Sequence, residues 1–223
     1  MSRVLECSTL VSVILTKVKK GLKKSTPFLA IITFNDSKYC KLLIDKCLEL
    51  DIHFKHYNLD NPNTKDVISL IDELNKDDEI TGILLVEPLP KNVDKYACYD
   101  AININKDIDG VNSTNQYYLS INRPNIVNST VLAVIKILES YNISLSGKNV
   151  TIIGRSYNIS RPLASYLINS DATVSMCHSK TRDLVNIIKN SDIVISVTGA
   201  NNLFKSSDLK DGCVVIDVGL GDG

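Results

Sequence analysis

No sign of charge predominates in this chain: 25 Lys and Arg stand against 25 Asp and Glu. That balance leaves no global field to gather nucleic acid or an anionic membrane surface. No fully apolar run approaches the roughly 20 residues of a bilayer span, and the N-terminal Met-Ser-Arg-Val-Leu-Glu-Cys-Ser has no signal-peptide apolar region. There is no Cys-x-x-Cys pair. The six cysteines, Cys7, Cys40, Cys47, Cys98, Cys177 and Cys213, have no His ladder beside them. This argues against a zinc site or a disulfide frame and for reduced, mostly buried thiols in a cytoplasmic protein. The Asn-x-Ser/Thr triplets lack the secretory route that would make them glycosylation sites. Internal repeats and low-complexity tracts are missing too. So is the Gly-x-Gly-x-x-Gly fingerprint of dinucleotide sites.

What is present is an alternation of apolar runs and amphipathic stretches. With 223 residues the chain can bury a substantial core in one large domain or two small ones. Residues 8–23 place Leu10, Val11, Ile14, Leu15, Val18 and Leu22 on one helical stripe. Strands are expected at Pro27–Thr33, His53–Leu59 and Ile80–Val86, with helices at Ser37–Leu50 and from Asn63 or Thr64 to Leu74. Pro88-Leu-Pro90 ends regular structure, because proline lacks an N–H and restricts the residue before it. After a loop around Asp107–Gly110, Ser129–Tyr141 reads as a long apolar-faced helix capped by Ser129 or Thr130. Four further strands are expected at Val150–Ile153, Thr173–Cys177, Ile193–Val197 and Val214–Val218, with helices at Ser160–Asn169 and Thr181–Lys189. This rhythm predicts an α/β protein: an N-terminal α/β domain over 1–120, then a Rossmann-type parallel sheet over 121–223 with helices on both faces. The boundary falls around 115–128, and a cleft between the domains is the default small-molecule site.

The most informative stretch is Lys148–Pro162. Its β-branched run stops at Gly154 and gives way to a turn and a helix; a second strand follows and ends in His178-Ser179-Lys180. Strand, turn, helix and strand make half of a dinucleotide-binding unit, with the helix N-terminus available to a pyrophosphate. A βαβ crossover whose glycine merely makes the turn would read the same way. The end of the second strand separates the two readings. An NAD site usually has an acidic residue there for the ribose hydroxyl; this chain has Ser179 and Lys180, with Arg155 in the turn. Donors and positive charge suit a ribose 2′-phosphate, which favours NADP over NAD. The cofactor candidates are Gly154, Arg155, Ser156 and Ser179; His178 reads as a packed strand-end side chain.

Five strings occur in a familiar order: Gly82-Ile-Leu-Leu-Val-Glu-Pro-Leu-Pro90, Asn105-Lys-Asp-Ile-Asp-Gly110, Gly147-Lys-Asn-Val-Thr-Ile-Ile-Gly-Arg-Ser156, Cys177-His-Ser-Lys-Thr181 and Val214-Val-Ile-Asp-Val-Gly219. Through them the chain resembles the bifunctional methylenetetrahydrofolate dehydrogenase/methenyltetrahydrofolate cyclohydrolase family. The resemblance implies tetrahydrofolate derivatives bound between two α/β domains and a homodimer built through the Rossmann domains. It also implies hydride transfer from 5,10-methylenetetrahydrofolate to NADP, followed by hydration of the methenyl product to 10-formyltetrahydrofolate. It makes Tyr39 and Asp109 the catalytic and substrate-binding candidates, Tyr39 stacking on the folate and Asp109 holding the pterin's N–H groups. Leu220 falls where main-chain groups approach the nicotinamide. Taken alone, Asp109-Gly110 is a common turn pair, Tyr39 a helix-face aromatic, and Leu220 a strand-end apolar residue.

The sequence departs from the family at defined places. The family's Tyr is followed four residues on by a catalytic Lys; here that position is Leu43. Lys41 is on another face, and Lys46 lies roughly 10 Å along the axis from Tyr39 at about 1.5 Å per residue. Val86 replaces a Gln, Val127-Asn-Ser-Thr130 replaces Pro-Cys-Thr-Pro, and Ser160 replaces a glycine. The sequence stops at Gly223, ahead of the family's Gly/Pro-rich loop and last helix. Hydride transfer depends chiefly on positioning, whereas hydration needs general acid–base work worth ~10²–10⁴-fold. The expectation is therefore a dehydrogenase with weak or lost cyclohydrolase activity. The alternatives are a catalytically silent folate or dinucleotide binder, and another NAD(P)-linked enzyme on a two-domain Rossmann scaffold.

Overall fold

Strands joined by crossovers pair in parallel, and every strand pair here is parallel. A computed structural model describes residues 4–35 and 38–219. The chain divides into two compact units, Met1–Gln116 and Tyr117–Gly223. Among the described residues no helix is long and apolar enough to cross a membrane.

The first unit runs α1 (Ser8–Leu22), β1 (Phe28–Thr33), α2 (Lys38–Leu50), β2 (His53–Asn58), α3 (Thr64–Lys76), β3 (Gly82–Leu85) and α4 (Lys95–Ala101), and the division falls within α5 (Ser113–Ser120). Its sheet has the order β2-β1-β3. Central β1 buries Ala30, Ile31, Ile32 and Thr33, while edge strand β2 stays half-exposed. Asn63 starts α3 with a capping box shared with Asp66. At its other end Lys106 Nζ donates to the carbonyls of Leu74, Asn75 and Asp77 at 3.0, 2.9 and 2.7 Å, so a cation satisfies the orphan acceptors at the helix's negative end.

The same lysine belongs to a segment that extends the sheet. Ile83 bridges Asp107 in parallel, and the Ile83 N–H donates to the Lys106 carbonyl at 2.7 Å. Gly82 permits the approach: a Cβ there would stand 2.5 Å from Ile108 Cγ2. The fully buried Asp107 carboxylate then closes the loop, accepting from the N–H groups of Val111 (3.1 Å) and Asn112 (2.9 Å) and from Asn115 Nδ2 (2.8 Å).

The second unit contains α6 (Ser129–Ser140), β4 (Asn149–Ile153), α7 (Ser160–Asn169), β5 (Thr173–Cys177), α8 (Leu184–Lys189), β6 (Ile193–Ser196), a 3₁₀ turn at Ser206–Asp208 and β7 (Val214–Asp217). The sheet order is β5-β4-β6-β7. Strand alternation divides its core between two faces. Val150, Ile152, Ile193 and Ile195 pack with Val134, Leu138, Leu163 and Leu167 of α6 and α7. Ile153 and Val194 pack with Ile188 of α8. The expected α/β architecture of parallel sheets with covering helices is thus observed.

Several local expectations are corrected. Asn128, rather than Ser129 or Thr130, caps α6: its side chain accepts from Thr130 and Val131 N–H groups at 2.9 and 3.3 Å. Helix α8 begins at Leu184 rather than Thr181, because Asp183 in a left-handed conformation caps it. Helices α4 and α5 occupy stretches without an expected helix, since seven or eight residues are too few for a clear apolar period. The stripe of α1 forms on a helix as expected, but none of its residues is buried; Val11, Ile14 and Val18 are exposed. Ser37, the expected start of α2, lies outside the described residues. Since Asp107 satisfies three buried donors, Asp107→Ala is expected to destabilise the protein by on the order of 3 kcal/mol in urea denaturation.

Candidate active-site residues and dinucleotide pocket

In an open parallel sheet, ligands bind beyond the carboxyl ends of strands, where successive crossovers leave in opposite directions. Both sheets have such a point. In the first unit it lies between β1 and β3, since β2 and β3 flank β1. Tyr39 stands there as the second residue of α2, reached from β1, and Asp109 follows the segment bridged to β3.

Tyr39 is more than half exposed. Its hydroxyl is held above the ordinary phenol range, first by burial and then by the carboxylate of Asp109. Asp109 is pushed up to about 6, chiefly by burial and then by the neighbouring charges of Asp107 and Glu87. The two candidates therefore lie within electrostatic reach of each other. The Asp109-Gly110 turn also forms: Gly110 has φ +63° and donates to the Asp107 carbonyl at 3.2 Å.

Glu87 was not among the sequence candidates. Its Oε1 accepts from the Tyr99 hydroxyl and from Lys95 Nζ (3.3 Å). The only sequence signal for it was its place beside Val86 in the Pro-Leu-Pro string. Leu43, one turn along α2 from Tyr39, packs against a cluster of Ile31, Cys47 and Val86. Leu43 and Val86, where the resemblance leads one to expect Lys and Gln, thus belong to one apolar patch. Neither can donate, accept or carry a proton there.

In the second unit a cavity of about 430 Å³ opens where β4, β5 and β6 end. Gly154, Arg155, His178, Ser179, Thr181 and Thr198 line it. Gly154 has φ +134°, and a Cβ would lie 2.9 Å from the Val197 carbonyl oxygen, so only glycine fits this turn. Arg155 and Ser179 are exposed at the ends of adjacent strands, with Thr181 beside them. His178 is tied into its turn: its N–H donates to Thr181 Oγ1 at 2.8 Å, and its Nδ1 accepts from the Lys180 N–H at 3.1 Å.

Ser156 is occupied structurally. Its Oγ accepts from the Ser160 N–H at 3.0 Å, at the start of α7, and lies 3.1 Å from Ser160 Oγ. Ser160, where the resemblance leads one to expect glycine, is fully buried. Its hydroxyl is accommodated by pairing with Ser156, and α7 still packs on β4 and β5 through Leu163 and Leu167. Leu220 lies outside the described residues. A permissive glycine, donors at two strand ends and a pocket at the switch point fit a dinucleotide phosphate.

Two such units, each with its polar candidates beyond the carboxyl ends of a parallel sheet, define a two-domain α/β scaffold with a Rossmann-like second half. Comparison with known proteins makes the assignment specific. Residues 5–109 match the family described as tetrahydrofolate dehydrogenase/cyclohydrolase, catalytic domain, and residues 128–222 match its NAD(P)-binding domain. A bifunctional protein FolD from Clostridium tetani is 37% identical over 209 residues, covering 92% of this chain and 74% of that protein. The Campylobacter jejuni FolD structure shares 34% identity at a TM-score of 0.91, covering 97% of this chain and 81% of that one. A Trypanosoma brucei FolD structure, complexed with NADP and an inhibitor, is 28% identical at a TM-score of 0.92, covering 99% and 80%. The chain belongs to the tetrahydrofolate dehydrogenase/cyclohydrolase family of folate one-carbon metabolism.

The raised ionisation point of Asp109 has a consequence for stability. Between about pH 4 and about pH 6 the folded chain keeps a proton that the unfolded chain has released; above that range the fold bears the cost of a buried charge. Asp109→Asn is expected to raise the unfolding free energy at about pH 7.5 by on the order of 2 kcal/mol, the gain vanishing below about pH 4. Urea denaturation at both pH values checks this.

Proposed function

We propose that this protein is an NADP-dependent 5,10-methylenetetrahydrofolate dehydrogenase whose methenyltetrahydrofolate cyclohydrolase activity is weak or lost. The observation that carries the reading is the shared apolar packing of Leu43 and Val86. In the oxidation, hydride leaves the methylene carbon of the folate, giving the methenyl cation. NADP supplies the hydride acceptor at C4. No proton need move at the reacting carbon, so the protein's task is orientation and exclusion of water.

The residues are assigned accordingly. Tyr39 offers its ring to the folate, and Asp109 offers a carboxylate to the N–H groups of the pterin, a directional, charge-assisted contact. Arg155 and Ser179 face a ribose 2′-phosphate; Gly154 and Ser156 shape the turn and the helix N-terminus against a pyrophosphate; Leu220 is retained as the main-chain contact to the nicotinamide. Hydration of the methenyl bridge would instead need a proton taken from water and another delivered to nitrogen, with Leu43 and Val86 where the family has Lys and Gln. The resemblance extends the proposal to a cytoplasmic homodimer, its oligomeric state checked by light scattering on the purified protein. A silent folate or dinucleotide binder is the second reading, favoured by the same replacements at Leu43 and Val86.

Two assays separate the readings. NADPH formation from methylenetetrahydrofolate is expected, with hydrolysis of methenyltetrahydrofolate close to the buffer rate. Folate binding without NADPH formation would favour the silent binder. Hydrolysis abolished by Tyr39→Phe or Asp109→Asn would overturn the hydrolytic part. Arg155→Ala is expected to weaken NADP by roughly 10–100-fold, the worth of one charge-assisted contact, while leaving NAD nearly unaffected in parallel kinetics.

A further inference from the structure

Helix α2 has two faces. Cys40, Leu43 and Cys47 recur at helical spacing on one of them, and both cysteines are buried. Tyr39 and Leu42 lie off that face and are more than half exposed. Leu43 and Cys47 pack with Ile31 of β1 and Phe54 of β2. Apolar packing of this kind is non-directional, so it holds the helix to the sheet but sets its rotation only loosely.

The first turn of α2 has a different anchor. On β2 the side chains of Phe54, His56 and Asn58 share one face, and His56 and Asn58 stand opposite Ile31 and Thr33 of β1. His56 Nε2 lies 2.8 Å from Oγ1 of Thr33, the buried last residue of β1, and 3.6 Å from Cys40 Sγ. The Thr33 hydroxyl donates to Asn58 Oδ1 at 3.3 Å, which leaves its oxygen to accept from an Nε2–H. One ring nitrogen on an edge strand therefore meets both the end of β1 and the first turn of α2.

We infer that His56 is a positioning residue for Tyr39. Cys40 directly follows Tyr39 in α2, so a directional contact at Cys40 sets the rotation of the turn from which Tyr39 projects. His56 acts on substrate only through that aromatic ring. The inference rests on the reading above, in which Tyr39 offers its ring to a folate. It gives the half-exposed edge strand β2 a share in the site.

The test separates position from stability. Calorimetry of the full chain with 5-formyltetrahydrofolate, a stable reduced folate, yields both the affinity and the number of sites per chain. A fold defect lowers the number of sites, whereas a displaced ring lowers the affinity of each. His56→Leu is expected to weaken binding by roughly fivefold or more, the worth of one hydrogen bond, with the site number unchanged. His56→Gln, whose amide can donate near the Nε2 position, should recover most of the affinity. In a Tyr39→Ala background the His56→Leu effect should shrink to less than about twofold, because the ring through which it acts is gone. Tyrosine ring signals, with Tyr39→Phe assigning the resonance, read the same displacement by NMR without ligand. The Tyr39 signal should move in His56→Leu and return in His56→Gln. Unchanged affinity in His56→Leu overturns the inference, as does a loss of sites at unchanged affinity or an undiminished effect in the Tyr39→Ala background. If His56→Leu does not fold, Thr33→Val and Cys40→Val enter the same measurements, each removing one of the two contacts. Failure of the wild type to bind 5-formyltetrahydrofolate would instead overturn the folate reading. The NMR comparison then still decides the placement of Tyr39, and an unmoved ring signal overturns that too.

Discussion

Parallel pairing sends all strands of a sheet out through one edge, and each crossover must leave from that edge. Wherever the direction of crossing reverses, two loops part and leave a crevice lined by strand ends and helix starts. In this protein the constraint operates in both units. The orders β2-β1-β3 and β5-β4-β6-β7 share the same reversal about the first strand. Tyr39, Asp109 and Glu87 in one unit, and Gly154, Arg155 and Ser179 in the other, are where they are because of it.

Within the first unit the next layer of organisation is electrostatic. A buried carboxylate is tolerated only when its lone pairs are filled, and Asp107 meets that condition with two backbone donors and one side-chain amide. Its neighbour Asp109 is partly buried among like charges and responds by holding its proton to a higher pH. Two aspartates in one short string therefore meet different surroundings: one has its oxygens filled by donors of the fold, and the other has a raised ionisation point. Elsewhere in the same unit, Leu43 and Val86 share an apolar cluster and give nothing that could move a proton.

The strings quoted from the sequence led to the family because their order and spacing are preserved, and the family is borne out by matches to both halves of the chain. Apolar periodicity located Thr173–Cys177 and Ser160–Asn169 at their observed limits. It failed at α4 and α5, where helices of seven and eight residues have too little length to show a period. It also overstated α1, since an amphipathic stripe records what a helix could bury and not what covers it. Capping was legible only in part: Ser129, Thr130 and Asn128 are all competent caps, and the backbone direction at Asn128 made the choice.

The amino-acid order by itself determined the alternation of strands and helices, the glycine turn at Gly154, and the apolar character of Leu43 and Val86. These follow from local periodicity, backbone conformational freedom and side-chain chemistry, all carried by neighbouring residues. Only the tertiary structure decided that Ser160 is absorbed by Ser156, that Asp107 and Asp109 have different surroundings, and that Glu87 is clamped by residues of α4. Those outcomes depend on which groups meet across tens of residues of chain. Burial and electrostatic coupling are properties of that meeting, with no signature in the local sequence.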